Sequence, residues 1–144
     1  MANYNPAGWK NADVGINHTP AYQVSGRPFA TGNVGAVSAV QVGFPYVTRW
    51  FQIINKSGVP LKVAFSHEGL NVAGSGSEEF SFTVDASSSS GYGKSERLEM
   101  KVSSIWCIRS GASDGNNNFD VVAGLTSIDS GKTANNFTGS YEGV

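Results

Sequence analysis

Apolar residues in this chain recur at every second position, and no stretch shows the three-to-four spacing of a helix. VGAVSAVQV (34–42) sets Val34, Ala36, Val40 and Val42 on one face of an extended chain, and VPLKVAF (59–65) does the same with Val59, Leu61, Val63 and Phe65. EEFSFTV (78–84) repeats the pattern with Phe80, Phe82 and Val84, and RLEMKV (97–102) with Leu98, Met100 and Val102. Each run predicts a half-buried strand. SSIWCIR (103–109) continues the last of them, with Ser103-Ser104 marking a bulge where the inward face changes over. NKSG, HEGLNVAGSGS, DASSSSGYGKS and SGASDGNNN separate the runs, and all are turn chemistry. Eight of the 18 Gly fall in these connections. The chain therefore reads as all-β, with about eight strands once a short one near AYQVS is counted.

FPYVTRWFQIIN (44–55) does not fit a strand with one wet face. Tyr46, Thr48, Trp50, Gln52 and Ile54 fall on one side, and Val47, Arg49, Phe51 and Ile53 on the other. An antiparallel sheet with a solvated face alternates cleanly, so this segment calls for a cover on its second side. FDVVAGLTSI (119–128) is likewise apolar on both faces.

Charge narrows the partners. Net charge is −1 and 15% of the residues are charged, against about 25% in ordinary soluble domains. A nucleic-acid surface would need a basic excess or stripe, and there is none in the sequence. So few charges beside 11% aromatics point to surface hidden by assembly. At 144 residues the chain is expected to form one domain. Cys107 stands alone, excluding an internal disulfide, and reads as a small buried hydrophobe within a strand. The opening MANYNPAGWKN has no basic segment leading into an apolar one, and no apolar run is long enough to cross a bilayer as a helix. We expect a soluble protein made in a cytoplasm. The triplets at Asn17, Asn55 and Asn136 are then chance matches to the glycosylation signal.

The ends differ from the middle. Residues 1–20, with Tyr4 and Trp9, and residues 129–144, with Phe137 and Tyr141, are polar arms around a folded domain expected at 21–128. Aromatics kept in such arms are candidates for docking on a neighbour.

Catalytic chemistry is sparse. GKS (93–95) and GKT (131–133) resemble the end of a phosphate-binding loop, but Ser88 and Thr126 stand where that loop needs its first glycine. DGNNNFD spaces Asp114, Asn116, Asn118 and Asp120 like calcium ligands, yet Phe119 and Leu125 occupy the positions at which an EF-hand needs Gly and Glu. A hairpin loop is the simpler reading. His18 and His67 lack the neighbouring His or Cys of a tetrahedral metal site. No G-x-S-x-G stands in the strand-turn-helix context of a nucleophile elbow, and Glu78 and Glu79, adjacent on a strand, face opposite ways. The expectation is a non-enzyme without cofactor or metal.

Two Greek-key sheets packed face to face, a single jelly roll, suit this strand number. HTPAYQVSGRPFATGNV, FPYVTRWFQIINKSGVPLKVAFSHEGLN, LEMKVSSIWCIR and VVAGLTSI together resemble, in order, the penton (vertex) capsid proteins of large icosahedral DNA viruses of the chlorovirus-like kind. The resemblance spans roughly residues 18–128 in overall pattern, and no residue role is carried over from it. It implies a late structural protein of the virion, assembled in the host cytoplasm. Such a protein forms a homopentamer that closes the fivefold vertices, beside major and minor capsid proteins, without nucleic acid or membrane insertion.

A pentamer would explain the two-sided strand, because a closed ring presents two different patches per subunit. Burying an unpaired guanidinium is costly, so Arg49 is placed outward. Tyr46, Trp50 and Ile54 are then expected in the core, with Val47, Arg49, Phe51 and Ile53 on the outer face against a neighbour. Tyr4, Trp9, Phe137 and Tyr141 complete the expected interface. The alternative is a bulge that mixes the pattern within one subunit. Two other functions remain open: a carbohydrate-binding jelly roll using Tyr92 with Trp9 or Tyr141, and a phage-type decoration or fibre protein.

Overall fold

The computed structural model describes residues 26–71, 80–112 and 115–132. Eight strands make up almost all of its regular structure: β1 (Arg27–Gly35), β2 (Val40–Gly43), β3 (Tyr46–Asn55), β4 (Leu61–Ala64), β5 (Ser81–Val84), β6 (Gly93–Lys94), β7 (Ser104–Arg109) and β8 (Asn118–Asp129). Two short 3-10 turns, Glu68–Leu70 and Ser130–Lys132, complete it. The expected strand at AYQVS lies outside the described residues, as do Tyr4, Trp9, Phe137, Tyr141, His18, Asn17, Asn136, Glu78, Glu79 and Asp114.

The strands form two four-stranded sheets, in the orders β1-β8-β3-β6 and β2-β7-β4-β5, with every pairing antiparallel. First pairs with last, second with seventh, third with sixth and fourth with fifth, alternately in the two sheets. One core lies between them, where Phe51, Ile53, Phe119, Val121, Ala123 and Leu125 of the first sheet meet Val42, Leu61, Val63, Val84, Ile105 and Cys107 of the second. Burial pushes the Cys107 thiol well above its ordinary pKa, so it is a neutral packing group. This order gathers the connections β1–β2, β3–β4, β5–β6 and β7–β8 at one end, the far end. The remaining connections, with residues 26 and 132, lie at the other, the near end.

The two-residue period runs through breaks that it does not reveal. VGAVSAVQV is two strands, because the chain leaves the first sheet after Gly35 and enters the second at Val40. Ala36 is buried in the crossing, its N–H donating to Asn117 O and its carbonyl accepting from Arg109 N–H. Val34 and Val42 reach the same core from opposite sheets, which keeps the period intact. RLEMKV is an irregular edge rather than a regular strand. Leu98 exchanges backbone bonds with Phe51, and Val102 O accepts from Thr48 N–H, so the five residues 98–102 of this edge lie along four of β3, 48–51. Leu98 packs on the core and Val102 is buried, but Met100, expected inside, is 38% exposed. Ser103 is where the chain changes sheets, rather than a bulge within one strand. The charged side chains of this edge, together with its irregular step, discourage another strand from pairing with it.

Candidate interaction surfaces

In β3 most of the expected faces are inverted. Val47, Phe51 and Ile53, placed by the sequence reading on an outer face, are buried, at 2%, 0% and 0% exposure, and cannot meet a neighbour. Trp50 and Ile54, expected in the core, are half-buried and opposite Gly124 and Asp120, in the row facing away from the other sheet. Tyr46 is half-buried too, but it does pack against the core, with the Arg27 guanidinium 4.4 Å from its ring centroid. Arg49 does not mark the phase of this strand. Thr48 pairs with Leu125 and Trp50 with Gly124, leaving Arg49 as the extra residue of a bulge. Its half-buried side chain says nothing about the faces of residues 51 and 53. The Arg49 side chain itself is half-buried.

A second irregularity, in β8, faces the start of β3: Tyr46 pairs with Asp129 and Thr48 with Leu125, so β8 carries surplus residues. The buried Thr126 hydroxyl substitutes for the interrupted ladder, donating to Val47 O (2.8 Å) and accepting from Ile128 N–H (3.1 Å). Thr48, fully buried, does the same towards the edge, donating to Met100 O (2.7 Å) and accepting from Val102 N–H (2.9 Å).

The chain covers the second face of β3 largely by itself. Trp50 lies across Gly124, where a methyl group would collide with the indole. The Arg97 guanidinium sits 4.6 Å from the Trp50 ring, held by Glu99 Oε1 at 2.8 Å. Gln52 Nε2 donates to Ser95 O (3.0 Å), and Ser95 Oγ accepts from Ile53 N–H (2.9 Å). The second sheet repeats the device with the chain that follows β4. His67 packs edge-on against Trp106, with centroids 5.0 Å apart, while Gly69 and Leu70 are buried in the same turn.

The far end is a hydrogen-bonded plate. Asn55 is fully buried; its amide nitrogen donates to Val59 O and Asp85 O, both at 2.9 Å, and its oxygen accepts from Ser57 N–H (3.0 Å). Those bonds leave no place for a glycan at this residue. Lys56 pairs with Asp120 (2.7 Å) and donates to Asn33 Oδ1 (3.1 Å), while Asn33 N–H donates to the same carboxylate (2.8 Å). Partial burial would raise the Asp120 pKa, but the Lys56 hydrogen bond, the Asn33 N–H and the Lys56 charge outweigh it and hold the carboxyl below its usual range. Asn33 has φ 57°, a left-handed conformation, at the irregularity in β1 that this cluster clamps. Tyr92, 57% exposed, and Val37, 60% exposed, stand beside the plate.

At the near end lies an apolar groove of about 260 Å³ lined, among the described residues, by Phe65, Met100, Lys101 and Val102. Phe82 packs beside Phe65, with centroids 6.3 Å apart. The sequence reading missed this site because it placed Met100 and Phe65 in a closed core. Among the described residues no three His, Cys, Asp or Glu side chains converge as metal ligands. Comparisons of the chain with protein-family models, with curated proteins and with solved structures find no match.

Proposed function

We propose that this chain is a structural capsid protein, a single jelly roll that assembles as a homopentamer and closes the fivefold vertices of an icosahedral shell. The observation that carries this reading is the pairing order. An eight-strand chain folded so that strands 1 and 8, 2 and 7, 3 and 6, and 4 and 5 pair, alternately in two sheets, is a long hairpin rolled into a sandwich. The likeness of residues 18–128 to vertex proteins supplies the function that this architecture serves. Major and minor capsid proteins are the other partners, and the protein needs no cofactor and performs no catalysis.

Within this reading the contact uses the outer row of β3 and its bulge, with Arg49 and Ile54 in place of Val47, Phe51 and Ile53. Arg49, the extra half-buried residue of the bulge, carries a guanidinium suited to a carboxylate or backbone carbonyls of the adjacent subunit. Native mass spectrometry and sedimentation should find five copies in a closed ring. Arg49→Glu should weaken that ring with an unchanged circular dichroism spectrum. A wild-type protein that stays monomeric even beside its capsid partners would reject the proposal, and a monomer that binds sugars in a glycan screen would replace it with the lectin reading.

A further inference from the structure

We propose that Asp120, Lys56 and Asn33 form an acid-released latch that holds strand β1 to β8 at a bulge. The latch operates within a single chain and does not depend on the pentamer. β1 follows β8 in one register from Arg27 opposite Leu125 to Thr31 opposite Val121, and in another from Val34 opposite Phe119 to Gly35 opposite Asn118. Gly32 and Asn33 together therefore stand against Asp120 alone, and two residues against one interrupt the ladder. The Asp120 side chain replaces the missing rung. Its Oδ1 accepts from Asn33 N–H (2.8 Å) and its Oδ2 takes the Lys56 ammonium (2.7 Å), while Lys56 Nζ reaches on to Asn33 Oδ1 (3.1 Å). The same carboxylate fills the space over Gly32, where a methyl group would stand 3.1 Å from Oδ1.

The bulge depends on this cluster more than its flanks do. Gly32 and Asn33 are exposed, and Asn33 is held in a left-handed conformation. Beyond them Val34 packs on the core and Ala36 is buried with both backbone groups bonded, so opening can stay confined to the bulge. Protonation of Asp120 ends the ion pair and weakens the acceptor for Asn33 N–H. β1 brings only the neutral Gly32 and Asn33 to this carboxylate, the chain after β3 brings Lys56, and Lys94 of β6 stands one strand further off, across Ile54. Partial burial pushes the Asp120 pKa up, but the Lys56 hydrogen bond, the Asn33 N–H and the Lys56 charge hold it below the usual carboxylate range. With a lowered folded pKa, the latch is closed above the unfolded value of about 3.9 and opens as pH falls through the folded one. Acid then turns a fixed bulge into a hinge between the two halves of β1.

The test is amide hydrogen exchange of the full chain, read residue by residue by NMR between pH 7 and pH 2 and corrected at each pH for the rate of the unfolded chain. Asn33 N–H is the reporter, and Cys107 N–H, in the middle of the second sheet, is the reference. In the wild type, protection at Asn33 should fall several-fold more than at Cys107 as the solution is acidified. Asp120→Asn keeps the shape but cannot ionise, so at pH 7 it should protect Asn33 as weakly as the acidified wild type does. Lys56→Gln removes the cation that lowers the Asp120 pKa, and the fall should move to higher pH. Equal losses at Asn33 and Cys107, or no loss down to pH 2, would overturn the proposal, as would wild-type protection in Asp120→Asn. A fall in Lys56→Gln at the wild-type pH would overturn it too, and this variant keeps the test decisive if Asp120→Asn does not fold.

Discussion

Replacing Asn55 by alanine removes a side chain that bonds the β3–β4 connection to the residue following β5. Three backbone groups lose their partner: Ser57 N–H, Val59 C=O and Asp85 C=O. A buried polar group left unpaired costs about 1–3 kcal/mol. Ser57 is 2% exposed, so its N–H bears most of that cost, while each carbonyl keeps a second lone pair and lies nearer to water. The total is about 3–5 kcal/mol, a large part of the roughly 5–15 kcal/mol that holds a domain folded. In urea, with a slope of about 2 kcal/mol per molar, the midpoint should fall by about 1.5–2.5 M. Asn55→Asp is the sharper probe, since it keeps the shape and the acceptor but turns the amide donor into an oxygen facing two carbonyls. The charged form is disfavoured there, raising the folded-state pKa above the unfolded value of about 3.9. A raised folded pKa gives stability that is present below the unfolded pKa and lost as pH rises through the folded one, so this variant should be weaker at pH 7 than at pH 4. An Asn55→Ala midpoint equal to wild type, or an Asn55→Asp stability that does not fall with pH, would refute the reasoning.

Three other outcomes can be measured with the same unfolding assay. Gly124→Ala should drive Trp50 off its seat, costing about 1–3 kcal/mol and shifting the tryptophan emission; unchanged emission would place the indole elsewhere. Thr48→Val keeps the shape but leaves Val102 N–H without its acceptor, for a loss of about 1–3 kcal/mol, with faster hydrogen exchange along residues 98–102 as the specific sign. Asp120 has a lowered folded pKa, so its contribution is present above the unfolded pKa and disappears as pH falls through the folded one. Acid midpoints measured below about pH 4 should therefore drop less in Lys56→Gln, which lacks the cation that lowers this pKa, than in wild type.

The strands were legible where one residue type had one available environment. Leu61 with Val63, and Phe119 with Val121, are apolar residues two apart, and in an all-β chain they face the core whatever the topology. Burial of Cys107 was legible for the same reason. Strand breaks were harder to read, because Ala36 and Ser103 change sheets without changing which side is inside, so periodicity runs on across both crossings. Met100 keeps the period of Leu98 and Val102 but sits on an irregular step, which pairing with β3 creates and composition does not announce. The apolar groove beside it was illegible in turn, since its walls come from segments about 35 residues apart in the chain.

For β3 the division is clearest. By itself, the sequence determined that this segment is a strand with two apolar faces and that its second face needs a cover, because alternation is a local property of extended backbone. Which face is inside was decided only by tertiary pairing. The extra residue Arg49 opposite the β8 register shifts the phase locally, Gly124 lacks the side chain that would exclude the Trp50 indole, and Arg97 arrives from a different strand edge to cover it. Those are relations between segments 45 to 75 positions apart, and no local pattern encodes the register that brings them together.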